Sequence, residues 1–348
     1  MTSRAQRAVA ATLFGLAAGL TPFLSHAESI RVSSSRSTGS SALYIAADRG
    51  YFRDEGLDAE LIYFDSAQAG QIAVVSGDTD VGMGGMSATF FNLAAKNALK
   101  IIAGGSREMP GFTFSAYVVS NKAWEAGLRA PADIAGKSVG ITTVGSIFSY
   151  TLQRLADKYG FPFAGVRTLP LQTFSNIASA VKGGSIDIGT LTAPTALPLI
   201  DRGEAHRLAW MADETPFLSS GIFASARTLA EKHALLERFM RAWRRGAADF
   251  ADVFQHPGAR ADDAAADALI AIIARHTRLA PAEIRLSLPF VDPSGGLPMD
   301  EIAQQIDTYK RMGMVDKSIA IESAVDLTLA PATSLADDLT AANALQRR

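Results

Sequence analysis

Residues 76–85 read SGDTDVGMGG and residues 183–192 read GGSIDIGTLT, two versions of one short phrase about a hundred residues apart. Setting Gly77 on Gly184 brings Asp80 onto Asp187, Val81 onto Ile188 and Gly82 onto Gly189, with Ala73 on Ala180 and Val74 on Val181 upstream. Each copy reads as a helix end, a glycine that lets the chain turn through positive φ, a brief apolar strand, and small residues where another helix begins. Turns between helix and strand favour Gly and Asp in any protein, so the match reflects either ordinary turn chemistry or two related halves.

Outward from these phrases, strand-like and helix-like runs alternate in the manner of a parallel α/β fold. Strand-like runs fall at 29–34, 57–64, 80–83, 99–103, 138–142, 167–169, 186–190 and 206–211; helical runs fall between them. From about 227 the pattern turns helical, at 229–254, 261–275 and 300–310. No low-complexity linker divides the 348 residues, so two halves would have to be joined by crossing segments, and the extended stretches 112–120 and 210–223 fit that role. The predicted arrangement is a first lobe of 28–115 together with 221–348, and a second of 116–220.

The remaining features set outer limits. Residues 1–27 carry Arg4 and Arg7, an apolar run from Ala8 to Leu24, and small residues before a cleavage point, which predicts a secretory signal peptide. The run is too short, and too interrupted by Pro22, for the ~20 residues of a spanning helix. Without it, 31 basic residues face 35 acidic ones. That balance, with no basic run, lacks the electrostatic footprint of a nucleic-acid binder. The chain has no cysteine, which excludes disulfides, thiolate metal sites and thiol nucleophiles.

The segment ALYIAADRGYFRDEGLDAELIYFDSAQAGQIAVVSGDTDVGMGG, residues 42–85, resembles the opening of the periplasmic substrate-binding proteins of the sulfonate, nitrate and thiamine-precursor type, which serve ABC importers. Similar echoes are PADIAGKSVGI at 131–141, GGSIDIG at 183–189 and IDTYKRMGMVD at 306–316. The resemblance implies an α/β, two-lobed periplasmic-binding-protein fold (type II) with two crossover strands and an interlobe cleft. It also implies a monomer in the periplasm, whose partners are a small-molecule ligand and an inner-membrane ABC permease with its ATPase. In one respect the chain departs from the family. Many relatives carry an acidic or aromatic residue before the proline of the second-lobe loop, whereas this chain has Thr192-Ala193-Pro194, so no relative's ligand can be transferred to it.

Parallel sheets present loops and helix N-termini along the carboxyl edge of their strands, where ligands bind. Those edges are rich in hydroxyls and glycines, and they supply the candidate ligand-binding residues. Ser34, Ser35 and Arg36 follow the first strand; Gly85 and Ser87 follow the third; Arg107 and Phe112 follow the fourth. Thr143, Ser146, Phe148 and Thr192 occupy the second lobe's edge. Guanidinium groups bind carboxylate or sulfonate in two-pronged fashion, so Arg36 and Arg107 predict a small organic anion, with Phe112 and Phe148 available to a ring. Glu108, next to Arg107, offers an alternative partner for that cation. A neutral pyrimidine, a receptor feeding a sensor, or an enzyme on the same fold are the alternatives. No catalytic residue, metal site or cofactor is expected. The pyrimidine synthase of this fold relies on cysteines that the chain lacks, no GxSxG elbow exists, and His206, His233, His256 and His276 never recur at metal-ligand spacing.

Overall fold

The structure is a computed structural model that describes residues 27–112, 114–255 and 264–346. The predicted leader, save Ala27, lies outside these residues, as do His256 and the first residues of the helix expected from 261. The strands of the three larger sheets, in chain order, are β1 (Glu28–Ser34), β2 (Leu57–Tyr63), β3 (Val81–Gly84), β4 (Leu99–Gly104), β5 (Ser106–Glu108), β6 (Ser115–Ser120), β7 (Ser138–Ile141), β8 (Arg167–Pro170), β9 (Ile188–Thr192), β10 (Ala205–Trp210), β11 (Phe217–Leu218), β12 (Gly221–Ser225) and β13 (Phe290–Val291); Leu297–Pro298 and Ala332–Thr333 pair separately. Two five-stranded sheets form, in the orders β2-β1-β3-β12-β4 and β8-β7-β9-β6-β10. In each sheet the fourth strand runs antiparallel to its neighbours. That strand is the first one after a crossing: β6 enters the second sheet as the chain leaves the first, and β12 re-enters the first as the chain returns. A third, small sheet, β11-β5-β13, pairs the outgoing passage with the returning one.

The doubled phrase has a structural counterpart, residue for residue. In the first sheet Val32 pairs with Val81 and Ser33 with Ile62; in the second, Val139 pairs with Ile188 and Gly140 with Leu169. Each partner has moved along the chain by the same interval. Asp80 accepts the Arg31 amide at 2.9 Å and returns its own amide to the Arg31 carbonyl at 2.8 Å. Asp187 does the same to Ser138, accepting the amide at 2.8 Å and the hydroxyl at 2.7 Å. The aspartate thus ties the start of one strand to its neighbour and sets their register. The glycine after it permits close approach: a Cβ at Gly82 would stand 2.3 Å from the Phe223 ring, and one at Gly189 would stand 2.7 Å from Ile177.

Packing follows from periodicity. Along β6, Ala116 and Val118 face one apolar cluster while Tyr117 and Val119 face another, the alternation of a strand buried on both sides. The predicted long helix divides at Lys232, leaving His233–Phe254. Its Leu235, Phe239, Trp243 and Phe250 form a buried stripe, and Gly246 lets it lie against the helix Ser41–Asp48, where a Cβ would stand 2.2 Å from the Ala42 carbonyl.

Two expected ligand residues belong to this packing instead. Arg107 is fully buried on β5, donates to Asp338 at 2.5 Å and to the Gly296 carbonyl at 2.7 Å, and has Asp292 at 3.5 Å. Glu108, considered as its partner, faces the other side of the strand. Burial lifts Asp338 to about 6 even though Arg107 favours its charged form. Phe112 packs edge-on against Phe290 at 5.3 Å in a cluster with Met109 and Ala342.

Two stability measurements follow. Burial pushes the Asp187 carboxyl up, but the Ser138 amide and hydroxyl hold it below its ordinary value. A carboxyl depressed on folding stabilises above its unfolded pKa and loses that contribution as pH falls through the folded one. In urea denaturation Asp187→Ala should therefore cost about 2 kcal/mol at neutral pH, with the gap to the native protein closing below about pH 4; a pH-independent gap would exclude the carboxylate as its source. Arg107→Ala, by stranding Asp338, should cost about 3–5 kcal/mol, and a cost under about 1 kcal/mol would place the pair among ordinary surface salt bridges.

Candidate functional site

The carboxyl ends of the two sheets enclose a cavity in two parts. The inner part, nearest the crossings, has a volume of about 140 Å³ and adjoins an outer part of about 430 Å³; Ser35, Ser37, Asp65, Thr142, Phe174 and Thr192 border both. The repeat places equivalent residues on facing walls. Ser35 and Thr142 follow β1 and β7, Ser66 and Thr173 follow β2 and β8, and Gly85 follows β3 as its counterpart Thr192 ends β9. The crossings supply the floor through Phe114, Ser115, Phe217 and Ser219.

Most of the hydroxyls that line the walls are already committed. Ser66 caps the helix Ala67–Ser76 and Thr173 caps Phe174–Lys182. Ser87 caps Ala88–Ala95 and donates to Gln71 at 2.7 Å, and the Gln71 amide in turn holds the Gly85 carbonyl at 2.9 Å. Ser146 differs from these. It opens the thirteen-residue helix Ile147–Tyr159 without capping it, and its hydroxyl, on a residue 6% exposed, has no partner among the described residues. Its carbonyl is held by the Tyr309 hydroxyl at 2.9 Å. A helix start left open in this way offers amides and the positive end of its dipole to an acceptor. Thr192 likewise opens Ala193–Asp201 with no side-chain cap.

The body of the inner cavity is apolar. Phe114, Phe148, Phe174 and Phe217 border it, with Phe148 and Phe174 edge-on at 5.8 Å. Asp65 brings an acid to its border. Burial lifts Glu108, beside Ser115, to about 8, which favours its neutral form beneath the floor. Among the described residues the cation at this site is Arg36, in the outer part beside Tyr63.

Of the expected residues, the structure brings Ser35, Arg36, Gly85, Ser87, Ser146, Phe148 and Thr192 to the cavity. Ser34 turns inward to Ser40 at 2.9 Å and borders only a small adjoining void. Thr143 stands outside the wall that its neighbour Thr142 forms, and Arg107 and Phe112 lie away from the cavity altogether. Sequence reasoning missed Ser37, Asp65, Ser66, Thr142 and Phe174, along with the floor residues Phe114, Ser115, Phe217 and Ser219. Extending the doubled phrase would have found several of them, because the loop FDSAQ at 64–68 and the loop LQTFS at 171–175 hold matching places.

Comparison with known proteins bears on this arrangement. In a sequence search no curated protein matches the chain. Among solved structures, the alkanesulfonate-binding protein SsuA from Xanthomonas axonopodis pv. citri, bound to MOPS, is 19% identical with a TM-score of 0.69, covering 86% of this chain and 98% of that one. The periplasmic nitrate-binding protein NrtA from Synechocystis PCC 6803 is 13% identical with a TM-score of 0.64, over 92% and 89%. The desulfurization enzyme DSZB, 12% identical with a TM-score of 0.58, is covered over 92% and 99%. The fold is therefore the two-lobed one of the periplasmic binding proteins. The family model described as NMT1/THI5 like matches residues 37–259, more than half of the sequence, and the chain belongs to that family.

Proposed function

We propose that this protein is the solute receptor of an ABC importer, working in the periplasm and capturing a small organic anion with an apolar or aromatic body. The observation that carries the reading is the pairing of equivalent residues on facing walls around a phenylalanine-bordered space. A solute seated there touches both sheets, and only a solute that touches both can favour a closed arrangement over an open one. The lobes, 28–115 with 221–348 and 116–220, would rotate about the two crossings, and the closed form would present the surface recognised by a permease and its ATPase.

A neutral pyrimidine is the second reading, favoured by one observation. The Asp65 carboxylate borders both parts of the cavity, where it can accept the amino hydrogens of such a ring.

A thermal-shift screen of benzenesulfonate, benzoate, taurine, nitrate and 2-methyl-4-aminopyrimidine separates the two, because a bound solute stabilises by mass action, about 2.7 kcal/mol at a hundredfold excess over Kd. Stabilisation by the sulfonate or carboxylates supports the anion, and stabilisation by the pyrimidine alone overturns it. If an acceptor group of the solute meets the open helix start, Ser146→Ala should weaken binding by about 1 kcal/mol while leaving the free protein at least as stable, since that hydroxyl has no partner among the described residues.

A further inference from the structure

At the mouth of the cavity a cation is held in place without being neutralised. The Arg36 guanidinium carbon lies 3.9 Å from the centre of the Tyr63 ring, and Nη1 donates to the His276 carbonyl at 2.6 Å. The Tyr63 hydroxyl lies 2.6 Å from His276 Nδ1, and His276 Nε2 lies 2.8 Å from Asp48. The imidazole stacks on Tyr44 at 4.6 Å with the rings 1° from parallel. Tyr44 donates in turn to the Ser35 carbonyl and accepts the Ser37 amide at 3.4 Å. The backbone on both sides of Arg36 and the tip of its side chain are thus fixed by one aromatic cluster.

None of these contacts cancels the charge. A ring face and a carbonyl oxygen attract a guanidinium but carry no net charge. Asp48 is engaged by His276 and by Arg275, the latter at 2.5 Å, and among the described residues no carboxylate forms an ion pair with Arg36. Arg107 is the contrast, since two carboxylates already surround its charge. A positioned guanidinium with donors to spare suits a planar or tetrahedral anion.

We infer that Arg36 takes the charged group of the solute in the outer cavity, that Tyr63 and His276 are its positioning residues, and that the solute's apolar body reaches inward to the phenylalanines. This rests on the receptor reading above and names the solute class more narrowly, as an anion whose charge sits at one end of an apolar body.

Calorimetric titration with benzenesulfonate and with its neutral counterpart benzenesulfonamide tests the inference. Arg36→Gln should weaken benzenesulfonate about tenfold or more, remove most of the salt dependence of its affinity, and leave benzenesulfonamide within about twofold. Tyr63→Phe keeps the ring face and should stay within about threefold of the native protein. Tyr63→Leu should approach Arg36→Gln for the sulfonate alone, and His276→Ala should fall between them. Benzenesulfonate bound equally well by the native protein and by Arg36→Gln would overturn this inference and leave the receptor reading standing. Equal losses for the charged and neutral probes in Tyr63→Leu and His276→Ala would overturn the positioning role. Failure of the native protein to bind either probe would overturn this inference; the receptor reading falls only if no solute of the thermal-shift screen stabilises the protein.

Discussion

Two aspartates, Asp80 and Asp187, set the geometry on which the cavity depends. Each sits at the start of a central strand and clasps the backbone of the strand beside it. A slip of one residue would send every side chain of that strand to the opposite face, and the loops beyond would no longer end level with one another. With both clasps in place, the loops after β1, β2 and β3 and those after β7, β8 and β9 arrive at matching heights. The facing hydroxyls of the cavity follow from that agreement, made once in each sheet.

Charge at the site is governed by burial more than by sequence position. Arg107 and Arg36 both follow a serine on predicted edge loops and look alike in one dimension. In the fold, one enters a short strand of the third sheet and is enclosed by acids from residues 292 and 338. The other remains at an opening, supported by groups without net charge. Desolvating a guanidinium requires partners that compensate for lost water, and the C-terminal segment supplies them. An exposed guanidinium needs only orientation.

What could be read from the sequence is what repeats locally. The doubled phrase, the alternation of strands and helices, the two crossings and the serine-rich edges all express spacings of a few residues, and the structure carries each of them. Ser35, Gly85, Ser87, Ser146 and Thr192 were legible for that reason. The misses have two physical causes. Adjacent residues on an irregular loop point different ways, which turns Ser34 and Thr143 aside while Ser35 and Thr142 face the cavity. Long-range contacts leave no local trace: His276 holds Arg36 across 240 positions and Asp338 holds Arg107 across 231.

The late entry of β12 into the first sheet has a consequence for the growing polypeptide. Because β12 stands between β3 and β4, the last strand of the first sheet has no partner until residues 221–225 have been made. More than half the chain must therefore be synthesised before the earliest strands can complete their sheet. Until then β4 keeps both of its edges unpaired, while the second sheet, contiguous from β6 to β10, can already close.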